Sequence, residues 1–190
     1  DYDSWIGQFC AMHGVRFVFT SGDRDLLHLA SLKSRLLNTG TRVAVGNQKR
    51  LIALMDKASH ETLLAGGRWK IPRTLILAGV DSESIQGELG EFPYIVKPRN
   101  GASSKDAEVL RSKPQLQSAL NRGPDFVIQK FVSGAEYTVD VLSSEDCDHH
   151  IVAVRTRDLV LGSHSICTSG VSDPLLISVA KEFAATVRLP

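Results

Sequence analysis

A lysine that ends an apolar run, and is followed at once by glycine and serine, is placed to hold an anion. That arrangement occurs in FPYIVKPRNGASSKD, residues 92–106. Alternation along YIVK puts Ile95 and Lys97 on one face of a strand and Tyr94 and Val96 on the other. Lys97 can then reach a phosphate as a point charge. Gly101, Ala102, Ser103 and Ser104 leave their backbone N–H groups open to close approach by an anion. Taken alone, the stretch reads equally well as a solvated strand end with an ordinary hairpin turn. Neither GxxxxGK[ST] nor GxGxxG is present. A second constellation adds weight: VIQKFVSGAEYTVDVL, residues 127–142, is a strand, a glycine break and another strand. On its second strand Glu136, Thr138 and Asp140 share one face, and Tyr137, Val139 and Val141 the other. A strand with one polar face can line a cleft, and Glu136 has the chemistry to accept from both hydroxyls of a ribose.

The surrounding pattern says what must position these groups. VRFVF, then the helical spacing of Leu26, Leu29, Ala30, Leu32 and Leu36, then TRVAV give strand, helix and strand in the first fifty residues. A helix is predicted over 50–65 from Leu51, Leu54, Met55 and Ala58, closed by Gly66-Gly67. Strands follow at RTLIL, YIVK, AEVLR and FVIQKF, with a short helix starting near Asp81. A capping box at Ser112-Lys113-Pro114-Gln115 starts another helix. A hairpin is predicted from Glu136–Leu142 and Ile151–Arg155 around the turn SSEDCDHH, and Asp173-Pro174 starts a last helix.

Composition narrows the function. The net charge of +1 gives no electrostatic case for nucleic acid or a membrane surface. The three cysteines, Cys10, Cys147 and Cys167, have no CxxC spacing, which argues against a disulfide framework or a zinc site and for a reducing, cytoplasmic setting. No apolar run approaches a membrane span. His149 and His150, with Asp146, Cys147 and Asp148, read as a solvated hairpin tip rather than a metal site. His13, His28 and His60 read as surface or packing residues, and Trp5 and Trp69 as core or domain contacts. Ser165 and Cys167 fall in a loop with no base beside them in sequence.

Four segments in order, DKASHETLLAGGRWKIPRT, FPYIVKPRNGASS, VIQKFVSGAEYTVDVL and AVRTRDLVLG, resemble the ATP-grasp superfamily, and within it the carbamoyl-phosphate-synthase-like and D-alanine-ligase-like enzymes. The resemblance implies an α/β, more closely α+β, fold. Residues 1–49 would end a Rossmann-like preceding domain. Residues 50–190 would form a partial ATP-grasp domain, with 73–130 the small lid subdomain and 131–190 the start of the larger one. It implies ATP as ligand, with Lys57 toward the α-phosphate and Lys97 between adenine and the phosphates. Gly101 to Ser104 would cover the phosphates. Gln129, Lys130, Phe131 and Val132 would be the adenine hinge, and Glu136 the ribose carboxylate. Arg155 and Arg157 both match basic positions near the γ-phosphate or acyl phosphate. Lys105 departs from the family, where glycine is usual. The family holds Mg2+ with a later acidic segment that this sequence does not reach, so the chain is expected to be a catalytically incomplete fragment. The parent reaction would join a small-molecule carboxylate to an amine or thiol through an acyl phosphate; a nucleotide-binding module without turnover is the alternative. No nucleic-acid or membrane partner is expected, and a homodimer is left open.

Overall fold

The computed structural model describes residues 1–101, 106–161 and 164–189. The N-terminal unit contains α1 (Tyr2–Met12), β1 (Phe17–Val18), α2 (Asp23–Leu37) and β2 (Arg42–Val43), with β1 and β2 parallel. Parallel neighbours need a crossover, and α2 supplies it. Leu29, Leu32 and Leu36 recur at helical spacing and are buried against Ile6, Cys10 and Val43. α1 goes beyond the sequence reading. Tyr2, Trp5 and Phe9 stack along its outer side, so Trp5, 54% exposed, is not a core residue.

The helix expected over 50–65 is broken in two. α3 (Gln48–Met55) stops at Asp56, a 3-10 turn covers Lys57–Ser59, and α4 (His60–Leu63) follows. Asp56 is extended, and its carboxylate accepts from the N–H of Ala58 at 3.0 Å. A short acidic side chain competes for backbone N–H groups in this way, which favours a cap over a continued helix. Beyond α4 the indole of Trp69 lies so close to Gly67 that a Cβ there would sit 2.1 Å from the ring. Trp69 donates to the Leu64 carbonyl at 2.7 Å.

The next unit runs through β3 (Thr74–Ile76), α5 (Ser82–Leu89), β4 (Tyr94–Pro98), β5 (Glu108–Leu110), α6 (Lys113–Ala119) and β6 (Phe126–Lys130). Its strands form one antiparallel sheet in the order β3-β6-β4-β5. Tyr94, Val96, Leu110 and Ile128 meet Ile85 and Leu116 of the two helices in a fully or almost fully buried core. Asp81 caps α5 by accepting from the Ser84 N–H at 2.8 Å. The capping box expected at α6 does not form. Gln115 Oε1 accepts from the Arg111 N–H (2.7 Å) and from the Ser112 hydroxyl (3.3 Å), so that hydroxyl is spent on Gln115 and caps no backbone group.

The last unit contains β7 (Tyr137–Ser143), β8 (His150–Thr156), β9 (Leu159–Leu161), β10 (His164–Cys167), β11 (Gly170–Val171) and α7 (Pro174–Val187). The order β11-β8-β7 makes an antiparallel sheet, and β9 and β10 pair separately, so Ser165 and Cys167 lie on a strand and not in a loop. Asp173 caps α7 through the N–H groups of Leu175 and Leu176. The tip between β7 and β8 is more than a solvated turn. Cys147 is buried there, Glu145 pairs with Arg42 at 3.4 Å, and the Asp146 carbonyl accepts from Arg188 at 3.1 Å. No helix among the described residues is long and apolar enough to cross a membrane.

Candidate functional site

On β4, Tyr94 and Val96 are fully buried toward the helices, which puts Lys97 on the opposite face. Lys97 pairs in register with Val127 of β6 and is half-buried. The turn carrying Lys57 is fastened just beyond it. The Lys57 N–H donates to the Arg99 carbonyl at 3.0 Å. The Arg99 guanidinium forks onto Asp56, Nε to Oδ1 at 2.7 Å and Nη2 to Oδ2 at 2.6 Å. The Lys57 ammonium donates to the Gly101 carbonyl at 2.8 Å. Gly101 has φ +91°, a conformation suited to glycine, immediately before the run of small residues in the sequence. Ala102, Ser103, Ser104 and Lys105 lie outside the described residues.

Two ammonium groups from elements far apart in sequence are thus brought together. Burial pushes the pKa of Lys57 down, and the charge of Asp56 acts the other way. Burial also pushes Lys97 down, and the charge of Lys57 adds to the effect. Neither ammonium has a carboxylate within ion-pair distance among the described residues. Half-buried cations near each other cost free energy, a cost that a bound anion would relieve.

The segment expected as the hinge lies at the end of β6. The Phe131 N–H donates to the Pro93 carbonyl at 3.1 Å, and the Arg99 N–H to the Asp125 carbonyl at 2.8 Å. Antiparallel bonding alternates, so the N–H and C=O of Lys130 point away from β4. They face the position opposite Arg73, one residue before β3 begins. Val132 is 72% exposed. The Lys130 side chain turns the other way, onto the Glu91 carbonyl and over the Tyr94 ring. Gln129 is buried on the Lys97 face and donates to the Thr74 hydroxyl at 2.6 Å.

Glu136 is not on the strand as expected: β7 begins one residue later. It is well exposed, and its carboxylate lies 3.4 Å from Arg157. Arg155 sits opposite Thr138 and donates to Asp140 at 2.8 Å. The two arginines therefore take different acidic partners. The connection from β8 to β9 is locked by Asp158, which accepts from the hydroxyls of Thr156 and Ser169, both at 2.6 Å. Those bonds hold its carboxyl below the usual range. The sequence reading missed Asp56, Arg99 and Asp158 as organisers of the site. The adjacency of Asp56 to Lys57 was the one visible signal.

No ready-made protein cage for magnesium is present among the described residues. Among the described residues no group of three or more His, Cys, Asp or Glu side chains could hold a metal ion. The carboxylates of Asp56, Glu136 and Asp140 are each taken by an arginine.

An antiparallel sheet backed by two helices, joined to a hairpin sheet, with Lys97 on its open face and Lys57 on the turn fastened to it, defines an α+β protein with two neighbouring half-buried cations. A model of the ATP-grasp domain matches residues 54–188, and the chain belongs to that family. It is similar to a D-alanine–D-alanine ligase of Syntrophotalea carbinolica, 28% identical over 141 residues, covering 72% of this chain and 42% of the relative. In fold it is similar to the biotin carboxylase–β,γ-ATP complex from Campylobacter jejuni (TM-score 0.77, 11% identity, 98% of this chain and 46% of the other). It is also similar to the D-alanine–D-alanine ligase of Bacillus anthracis complexed with ATP (TM-score 0.66, 14% identity, 97% and 64%). The chain spans less than half the length of the curated relatives it matches.

Proposed function

We propose that the chain binds ATP as part of an ATP-grasp ligase that activates a small carboxylate as an acyl phosphate for attack by an amine or thiol. The observation that carries the reading is the approach of Lys57 and Lys97, half-buried and without carboxylate partners among the described residues, with the Lys57 ammonium on the Gly101 carbonyl. The polyphosphate would lie along these ammonium groups. Adenine would lie against the buried Gln129 face, with the backbone of Lys130 and Val132 as its edge contacts. Glu136 would take the ribose hydroxyls, and Arg155 or Arg157 the transferred group. Residues 73–130 would act as the lid and 131–190 as the floor. The protein's contribution to such chemistry is positioning and charge compensation.

The arginine-paired carboxylates favour a second reading, a nucleotide-binding module that does not turn over by itself. Calorimetric titration of the chain with ATP tests the shared core of both. Binding is expected, with strong weakening in the Lys57→Met, Lys97→Met double variant. No heat and no chemical-shift change at millimolar ATP would overturn both. Phosphate release above background on adding carboxylates would exclude the second.

A further inference from the structure

We propose that Arg99 is a positioning residue that sequesters the Asp56 carboxylate and so keeps the Lys57 ammonium available to an anion. The inference rests on the nucleotide reading of this site and concerns two residues which that reading does not use.

Asp56 precedes Lys57 in sequence, and its charge reaches the ammonium, working against the downward push of burial. A free carboxylate on the neighbouring residue would be available to pair with the lysine and neutralise the site from within. Both of its oxygens are committed elsewhere. Oδ1 accepts from Arg99 Nε (2.7 Å) and from the Ala58 N–H (3.0 Å), and Oδ2 accepts from Arg99 Nη2 (2.6 Å). A forked guanidinium matches a carboxylate with two parallel bonds, which one ammonium does not reproduce. The hydrogen bonds from Arg99 hold the Asp56 carboxyl below its usual range, so it stays ionised and engaged. Arg99 is itself anchored, because its N–H donates to the Asp125 carbonyl at 2.8 Å and its carbonyl accepts from the Lys57 N–H at 3.0 Å. Its backbone therefore places the lysine while its side chain removes the competing acid.

A simple staple between the turn and β4 makes a different prediction. Removing either partner would then do similar harm, and removing both would be no better. Sequestration predicts rescue. The test uses the full chain, with ATP affinity from calorimetry, adenosine as the ligand without phosphates, and the Lys57 pKa from the NMR titration of its ε-carbon. Arg99→Met should weaken ATP binding by about 10-fold or more, leave adenosine binding unchanged and move the Lys57 titration upward. Adding Asp56→Asn, which keeps an acceptor for Ala58, should recover most of the ATP affinity and return the titration. Arg99→Lys should fall between the two, and it replaces Arg99→Met in the same measurements if the latter does not fold. An unmoved Lys57 titration, or a folded double variant no better than the single one, overturns the proposal. If the unaltered protein binds no ATP, the titration still decides. An upward shift upholds the role of Arg99 while the nucleotide reading fails, and no shift overturns both.

Discussion

Lys97→Met separates the two demands placed on one side chain. Methionine keeps the apolar bulk of the lysine stem and removes the charge. In the free protein the ammonium is half-buried beside Lys57, and both burial and that neighbour push its pKa down. Removing it relieves desolvation and like-charge repulsion, which after solvent screening amounts to about 1 kcal/mol. For a chain of this size that is a rise of roughly 2–4 °C in Tm. With ATP bound as proposed, the same change would remove a charge-assisted contact worth about 1.5–3 kcal/mol. At about 1.4 kcal/mol per decade, affinity falls roughly 10- to 150-fold. The variant should therefore be more stable and bind worse. The stability gain also has a pH signature. A lysine whose pKa falls on folding imposes its full penalty below the folded pKa, and the penalty fades as pH rises toward the ordinary value near 10.5. The gap in Tm between parent and variant should shrink in that alkaline window. Thermal melts at neutral and alkaline pH, with calorimetry on the same samples, check both. A variant that melts lower than the parent and binds ATP equally well would refute the placement of Lys97 against an anion.

Polyphosphate favours charged lysines, so ATP binding in the alkaline range should draw protons from the buffer; calorimetric enthalpies that do not vary with buffer ionisation heat would count against paired, depressed lysines. Glu136→Gln should weaken ATP binding by about 1 kcal/mol and leave 2′,3′-dideoxy-ATP unaffected, an equal loss for both ligands being the contrary result. Thr74→Val removes the acceptor that holds the buried Gln129 amide. It should cost about 1–3 kcal/mol in urea unfolding, the usual penalty for a stranded buried donor.

What the sequence made legible follows from the range over which each signal acts. The facing of Lys97 was readable because strand alternation is local, and Tyr94 and Val96 are indeed buried on the other side. The breaks at Asp81 and Asp173 were readable because a cap acts within a few residues. The break at Asp56 was not. Leu51, Leu54, Met55 and Ala58 continue a helical stripe through it, and the residue that holds Asp56 out of the helix, Arg99, lies on the far side of two strands. The approach of Lys57 to Lys97 was likewise tertiary, and resemblance alone joined the two segments. α1 escaped because its stripe is aromatic and largely exposed, with only Ile6 and Cys10 buried. β9, β10 and β11 are two to four residues long, too short for any period to show.

The site's charges come from a turn and a strand that are distant in the unfolded chain, so the cost of facing them is confined to the folded state. The strand that bears Lys97 is suited to carry it. β4 is paired with β6 from Tyr94 through Pro98 and with β5 from Tyr94 to Val96, the residue just before Lys97, and its Tyr94 and Val96 are among the best-buried side chains in the protein. A strand held on both edges and packed from behind opens only with its sheet. The ammonium therefore does not escape its unfavourable position by local fraying. Lys57 has a softer mount, a three-residue 3-10 turn, and there the Asp56–Arg99 fork does what a sheet does for Lys97. On the proposed reading, rigid backing on one side and a charge-matched latch on the other would turn a destabilising pair of cations into a site organised in advance for an anion.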